Sequence, residues 1–218
     1  MNTQATSLLD VLREDRVLSV VRADRIPDAA ELCRALTAGG IRIVELTFTT
    51  PDVLTHVRRA AAAADSTGAV VGVGTVMTAA QAGAAIDAGA RFLVTPGLRP
   101  DVAKEAVRRG VPVFLGAFTP SEVAQAVDLG SAAVKIFPAG QLGPKYLKDL
   151  HGPYPDVSLL PSGGISEENA PSFLDAGALA VCAGTSVVPP ASVASAAWHD
   201  VTDRARRFVA ALTPPPGR

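Results

Sequence analysis

Thr119-Pro120-Ser121-Glu122-Val123-Ala124-Gln125-Ala126-Val127-Asp128-Leu129-Gly130-Ser131-Ala132-Ala133-Val134-Lys135-Ile136-Phe137-Pro138 holds one complete helix-then-strand unit. Thr119 reads as an N-cap, Pro120 as the first helical residue and Glu122 as its N3 partner, which together make a capping box. Apolar residues at helical spacing predict a helix over Pro120–Leu129. Gly130 then ends it just before a strand, where a left-handed residue is wanted. Ala132 to Ile136 is an apolar run of strand length, interrupted by a single charge, Lys135.

The same punctuation recurs along the chain. Gly39, Gly89, Gly110 and Gly177, like Gly130, each end a helix ahead of a strand, and Thr78 and Ser166 join Thr119 as expected N-caps. Strands are predicted at Val17–Arg22, Ile41–Thr47, Ala69–Gly74, Arg91–Thr95, Val113–Leu115, Ala132–Ile136, Val157–Leu160 and Leu179–Ala183. Helix candidates between them include Asp28–Ala38, Pro51–Ala64 and Ala79–Ala88. Strands alternating with helices to the count of eight predict a single α/β domain over 1–218, closed as a (β/α)8 TIM barrel. A doubly wound open sheet is the competing architecture, but its Gly-rich dinucleotide fingerprint is missing after the first strand. Residues 1–16 read as a leading helix over the barrel's bottom, and 213–218 as a frayed tail.

Composition narrows the function. The formal net charge is −1 and hydrophobic residues make up 48% of the chain, which fits a large core and argues against a nucleic-acid surface. The arginine pairs Arg58-Arg59, Arg108-Arg109 and Arg206-Arg207 are expected at helix ends, where cations complement the dipole. Cys33 and Cys182 sit far apart in apolar surroundings and read as small buried hydrophobes. His56, His151 and His199 share no ligand spacing, so no metal site is expected. Met1 to Asp10 lacks the pattern of a signal peptide, and no apolar stretch is long enough to span a membrane. The expectation is a cytoplasmic protein with no membrane and no nucleic-acid partner.

Among four lysines, only Lys135 lies inside an apolar strand. Burial disfavours the charged form of an amine, and a neutral amine is a nucleophile that forms a Schiff base with a carbonyl. A snorkelling or ion-paired core lysine is the bland reading. Glu45 interrupts the second strand in the same way, and either forms a buried ion pair with Lys135 or moves protons for it. In this barrel the chemistry lies at the C-terminal ends of the strands. Those ends carry Arg22, Glu45 with Thr47, Gly74-Thr75, Thr95-Pro96, Gly116, Lys135, Ser162-Gly163-Gly164 and Gly184-Thr185-Ser186. The turns after strands seven and eight match a common phosphate site of such barrels, and equally match simple turn chemistry. Arg22 could clamp a carboxylate bidentately or pair with an acid at the rim.

Taken in order, several motifs resemble the class I aldolases that cleave 2-keto-3-deoxy-6-phosphogluconate (KDPG) and 4-hydroxy-2-oxoglutarate (KHG). They are Val44-Glu45-Leu46-Thr47-Phe48-Thr49-Thr50-Pro51, Gly72-Val73-Gly74-Thr75-Val76, Thr95-Pro96-Gly97-Leu98, Val134-Lys135-Ile136-Phe137-Pro138-Ala139, Gly143-Pro144-Lys145-Tyr146 and Pro161-Ser162-Gly163-Gly164-Ile165. The resemblance implies a TIM barrel, commonly a homotrimer, with a lysine imine at Lys135 and a general acid/base at Glu45. It implies no cofactor beyond that covalent imine. Thr75, Pro96 and Phe137 match the family's pocket positions, and Ser162, Gly163, Gly164, Gly184 and Ser186 its phosphate positions. Thr49 stands where some members carry a substrate-binding arginine; the resemblance implies that Arg22 takes over that role here, as in members with an arginine ending strand one, the phosphogalactonate-type enzymes among them. Ser162 replaces a threonine, and Thr185 stands where some members have glycine. The expected substrate is a small keto-acid sugar phosphate, split into pyruvate and an aldehyde. A 2-keto-3-deoxy-6-phosphogalactonate aldolase and a non-catalytic or epimerase sugar-phosphate-binding barrel are the alternatives.

Overall fold

The first seven strands pair in parallel in chain order, and the eighth pairs with the first, so that hydrogen bonding runs around a ring. The computed structural model describes residues 7–212. Its strands are β1 (Val17–Val21), β2 (Ile43–Thr47), β3 (Val70–Gly74), β4 (Leu93–Val94), β5 (Val113–Ala117), β6 (Ala133–Ile136), β7 (Leu159–Pro161) and β8 (Val181–Ala183). The helices are α1 (Leu8–Asp15), α2 (Ala29–Ala38), α3 (Val53–Ala62), α4 (Ala64–Thr67), α5 (Ala79–Asp87), α6 (Pro100–Arg108), α7 (Pro120–Asp128), α8 (Ala139–His151), α9 (Ala170–Asp175), α10 (Pro190–Ala194) and α11 (Trp198–Leu212). β1 pairs with both β2 and β8. The seam between β7 and β8 is thin: one bridge, Ser162 to Cys182, and the Leu179 N–H donating to the Leu159 carbonyl at 2.9 Å. That seam closes the barrel and removes the open-sheet alternative, which would leave two unpaired edges.

Alternation along the strands builds two cores. Leu18, Ile43, Phe92, Phe114, Ala133 and Leu160 point inward, while Val17, Val44, Leu46, Val134 and Ile136 point outward against the helices. Val11 and Leu12 of α1 join the inner core, so this helix covers the end of the barrel where the strands begin. Arg42 fixes it there, its Nε donating to Asp15 Oδ1 at 2.9 Å and its backbone N–H to Asp15 Oδ2 at 3.0 Å. The leading segment's residues 1–6 and the tail 213–218 lie outside the described residues.

Several local expectations shift. The ladders are shorter than most of the apolar runs: β4 keeps only Leu93–Val94, and the seventh strand sits later, at Leu159–Pro161. The helix expected over Pro51–Ala64 starts at Val53 behind a left-handed Asp52 and gives way to the short α4. Gly39 ends α2 but is right-handed, and the left-handed residue is Gly40, at φ 92°. Gly39 is small for another reason: a Cβ there would lie 2.3 Å from Ala205 Cβ, so it lets α2 and α11 approach. Ser166 is not an N-cap. Its N–H donates to Asn169 Oδ1 at 2.9 Å within a turn, and α9 begins at Ala170. Arg206-Arg207 falls inside α11, facing Asp203 and Glu167, and not at a helix end.

The Thr119 capping box forms as read. Thr119 Oγ1 accepts the Glu122 N–H at 3.3 Å, and Glu122 Oε2 accepts the Thr119 and Phe118 N–H groups, each at 2.8 Å. Thr119→Ala should therefore cost about 1 kcal/mol of stability. Urea denaturation would show a lower midpoint at an unchanged slope; an unmoved midpoint would mean that the box contributes nothing.

Candidate active site

Glu45 lies on β2 between Val44 and Leu46, and Lys135 on β6 between Val134 and Ile136; all four neighbours face outward. Alternation therefore turns both charged side chains into the barrel. Lys135 Nζ stands 3.9 Å from Glu45 Oε1, with the side chains 9% and 1% exposed. That distance is too long for a hydrogen bond, and neither oxygen of Glu45 has a hydrogen-bond partner. Burial pushes the Glu45 carboxyl above its usual range, and the Lys135 and Arg22 charges only partly offset this. Desolvation thus outweighs the attraction across the pair, which favours the protonated carboxyl.

A cavity of about 260 Å³ opens at Lys135, while the buried Glu45 behind it is not part of the lining. Phe137 walls one side, its ring centroid 5.5 Å from Lys135 Nζ. Pro96 and Thr75 also line it. Pro96 is fixed by Thr95, whose hydroxyl donates to the Gly97 carbonyl at 2.7 Å and accepts the Gly116 N–H at 3.1 Å. Thr75 is left-handed at φ 56°, a strained conformation for a β-branched residue. Ser162, Gly163 and Gly164 line the far wall, with Gly184 and Thr185 beside them. This wall is pinned by the start of α8: the Ala139 and Gly140 N–H groups donate to the Ser162 and Gly163 carbonyls, each at 2.8 Å. Among the described residues, the N–H groups of Gly164, Ile165, Thr185 and Ser186 donate to no protein acceptor. Grouped at the ends of two neighbouring strands, they suit an anion.

A second lobe of about 350 Å³ adjoins the first and shares Val20, Arg22, Gly184 and Thr185 with it. Asp24 and Thr49 line its outer part. Arg22 is exposed on the ridge between the lobes and forms no ion pair among the described residues, so the rim salt bridge weighed from sequence is not present. Thr47 and Ser186 line neither lobe. The Thr47 hydroxyl donates to the Val21 carbonyl at 3.1 Å and contacts Thr49 Oγ1 at 2.8 Å, while Ser186 Oγ donates to the Ile165 carbonyl at 3.3 Å. Both brace the residues that do line the cavity.

Cys182 is the residue that the reading from sequence underused. It is buried as expected, yet it forms part of the cavity floor, with its thiol pushed up to about 12 by burial. Its inward position, two residues before Gly184, was available from strand periodicity alone.

The family model described as "Aldolase: KDPG and KHG aldolase" matches residues 8–204. The 2-dehydro-3-deoxy-phosphogluconate aldolase of Treponema pallidum is 36% identical over 90% of this chain and 93% of its own. A structure of the Zymomonas mobilis KDPG aldolase with 3-phosphoglycerate superposes with a TM-score of 0.81 at 33% identity, covering 94% of this chain and 97% of that one. The Legionella pneumophila KDPG aldolase, with pyruvate captured at low pH as a covalent carbinolamine intermediate, gives a TM-score of 0.84 at 28% identity, covering 93% and 98%.

The pair's energetics can be measured. A carboxyl raised in the folded state gives stability that is present below its unfolded pKa and is lost as pH rises through its folded pKa. Wild type should therefore lose ground to Glu45→Gln in urea midpoint as pH is raised from the ordinary carboxylate range toward 8. If wild type instead gains on the variant over that range, attraction to Lys135 dominates and the pair is a structural salt bridge.

Proposed function

Because the chain belongs to the KDPG and KHG aldolase family, we propose that it is a class I aldolase that splits KDPG into pyruvate and glyceraldehyde 3-phosphate, and KHG into pyruvate and glyoxylate. The observation that carries this reading is the isolated Lys135–Glu45 pair, its lysine lining a cavity whose far wall offers unused N–H groups. Lys135 Nζ adds to the C2 ketone, and loss of water leaves a protonated imine. Glu45, directly or through a water, takes the C4 hydroxyl proton. The C3–C4 bond then breaks, its electron pair entering the imine to give an enamine, and the aldehyde departs. Glu45 returns a proton to C3, and water hydrolyses the resulting pyruvyl imine, freeing the lysine.

In this reading the imine is the electron sink, and no cofactor takes part. Among the described residues, no group of three or more His, Cys, Asp or Glu side chains is placed to hold a metal ion. Thr75 and Arg22 hold the pyruvyl carboxylate, and the turns after β7 and β8 hold the phosphate. The reading also has the enzyme acting in the cytoplasm as a homotrimer. Among the described residues no helix is long and apolar enough to cross a membrane. The unpaired Arg22 beside Thr49 supports a second reading, in which the preferred substrate is the phosphogalactonate epimer at C4. Side-by-side kinetics on the two epimers and KHG decide between them.

Incubation with pyruvate and borohydride should convert Lys135 alone to its N-carboxyethyl derivative, read by peptide mass mapping. A label on Lys104, Lys145 or Lys148, or none at all, would overturn the mechanism. Lys135→Arg should have no turnover, because a guanidinium stays protonated.

Inorganic phosphate should inhibit competitively against the phosphorylated substrate while leaving pyruvate trapping at Lys135 unchanged. Loss of trapping in phosphate would mean that the anion occupies the pyruvyl region, and the phosphate assignment would fall.

A further inference from the structure

The Glu45 carboxyl is buried, has no hydrogen-bond partner among the described residues, and stands 3.9 Å from Lys135. Something other than hydrogen bonding holds it. The register of β2 on β3 pairs Glu45 with Gly72 and Thr47 with Gly74, so both glycines turn their missing side chains to the barrel interior. The space at Gly72 is taken by the Phe92 ring, which a Cβ there would meet at 2.5 Å. The space at Gly74 is taken by Glu45 itself. A Cβ built on Gly74 would stand 1.7 Å from Glu45 Oε1, 2.4 Å from Cδ and 2.7 Å from Cγ. Such separations lie far inside van der Waals contact and involve most of the side chain's functional end. Gly74 is not among the left-handed glycines, so its backbone makes no demand for glycine; room for the carboxylate is the demand.

We infer that Gly74 is a positioning residue for catalysis: its bare Cα leaves a slot on the β3 wall, with the Phe92 ring in the place of a Gly72 side chain, that seats the Glu45 carboxyl opposite Lys135. The inference rests on the aldolase reading above. The slot accounts for how a carboxyl with no partner keeps a fixed direction. Burial in the same slot raises its proton affinity. A methyl at position 74 must push the carboxylate out of the slot toward the cavity.

The test is Gly74→Ala, measured against wild type. Turnover should fall roughly tenfold or more, the loss expected when a general acid/base is displaced. The acidic limb of the pH–rate profile should move down toward the ordinary carboxylate range, because the carboxyl leaves its dry slot. Pyruvate and borohydride should still label Lys135. A folding defect is handled by the double variant Gly74→Ala/Glu45→Ala: if the methyl harms only by striking Glu45, Gly74→Ala should lower the urea midpoint beside Glu45 and leave it unchanged in the Glu45→Ala background. Normal turnover with an unmoved pH limb in Gly74→Ala would overturn the inference, as would equal destabilisation in both backgrounds. Failure of wild type to take the pyruvate label would instead strike the aldolase reading itself.

Discussion

An amine and a carboxyl that face each other in the mouth of the barrel, without touching, constrain the rest of this structure. At 3.9 Å the pair gains some Coulomb attraction, but both groups have left water and neither Glu45 oxygen is hydrogen-bonded. A fold under selection for stability alone would do as well or better with apolar residues at such positions. Here the surrounding residues are arranged to keep the pair separate. Phe137 walls the amine, Phe92 and the glycines of β3 seat the carboxyl, and Thr95 locks Pro96 across the cavity. The barrel makes this possible because its strands bring side chains far apart in sequence to one inward layer.

Much of this was legible in the sequence because it depends on local rules. A charge inside an apolar strand is rare enough to notice, and strand alternation states which way it points. The capping box at Thr119 and the glycines at 89, 110, 130 and 177 follow from backbone chemistry, and all hold in the structure. Where the reading slipped, a tertiary contact had decided the matter. Gly39 is small because α11 lies against it, and the left-handed turn passes to Gly40. Ser166 gives way to Asn169, whose side chain accepts the Ser166 N–H and donates to the Gly164 carbonyl, tying the turn to the cavity wall. Thr75's left-handed backbone, the Glu45 slot on Gly74 and the second lobe all arise between strands, and no single stretch of sequence contains them.

Under the proposed reading, substrate choice falls to the rim, where Arg22 and Thr49 stand. Thr49 offers a hydroxyl that is already engaged with Thr47. Arg22 supplies the cation from the adjacent strand and stands between two lobes that share Gly184 and Thr185. In the proposed reading the chemistry and the selectivity rest on separate residues, as the fold allows.

The most direct test of the central claim is a crystal structure of the protein soaked with pyruvate. The account predicts continuous density from Lys135 Nζ to the pyruvate C2. It also predicts a Glu45 oxygen within hydrogen-bonding reach of the intermediate, or of a water bound to it, with the carboxyl still seated over Gly74. Pyruvate held without a bond to Lys135, or Glu45 turned away from the adduct, would contradict it.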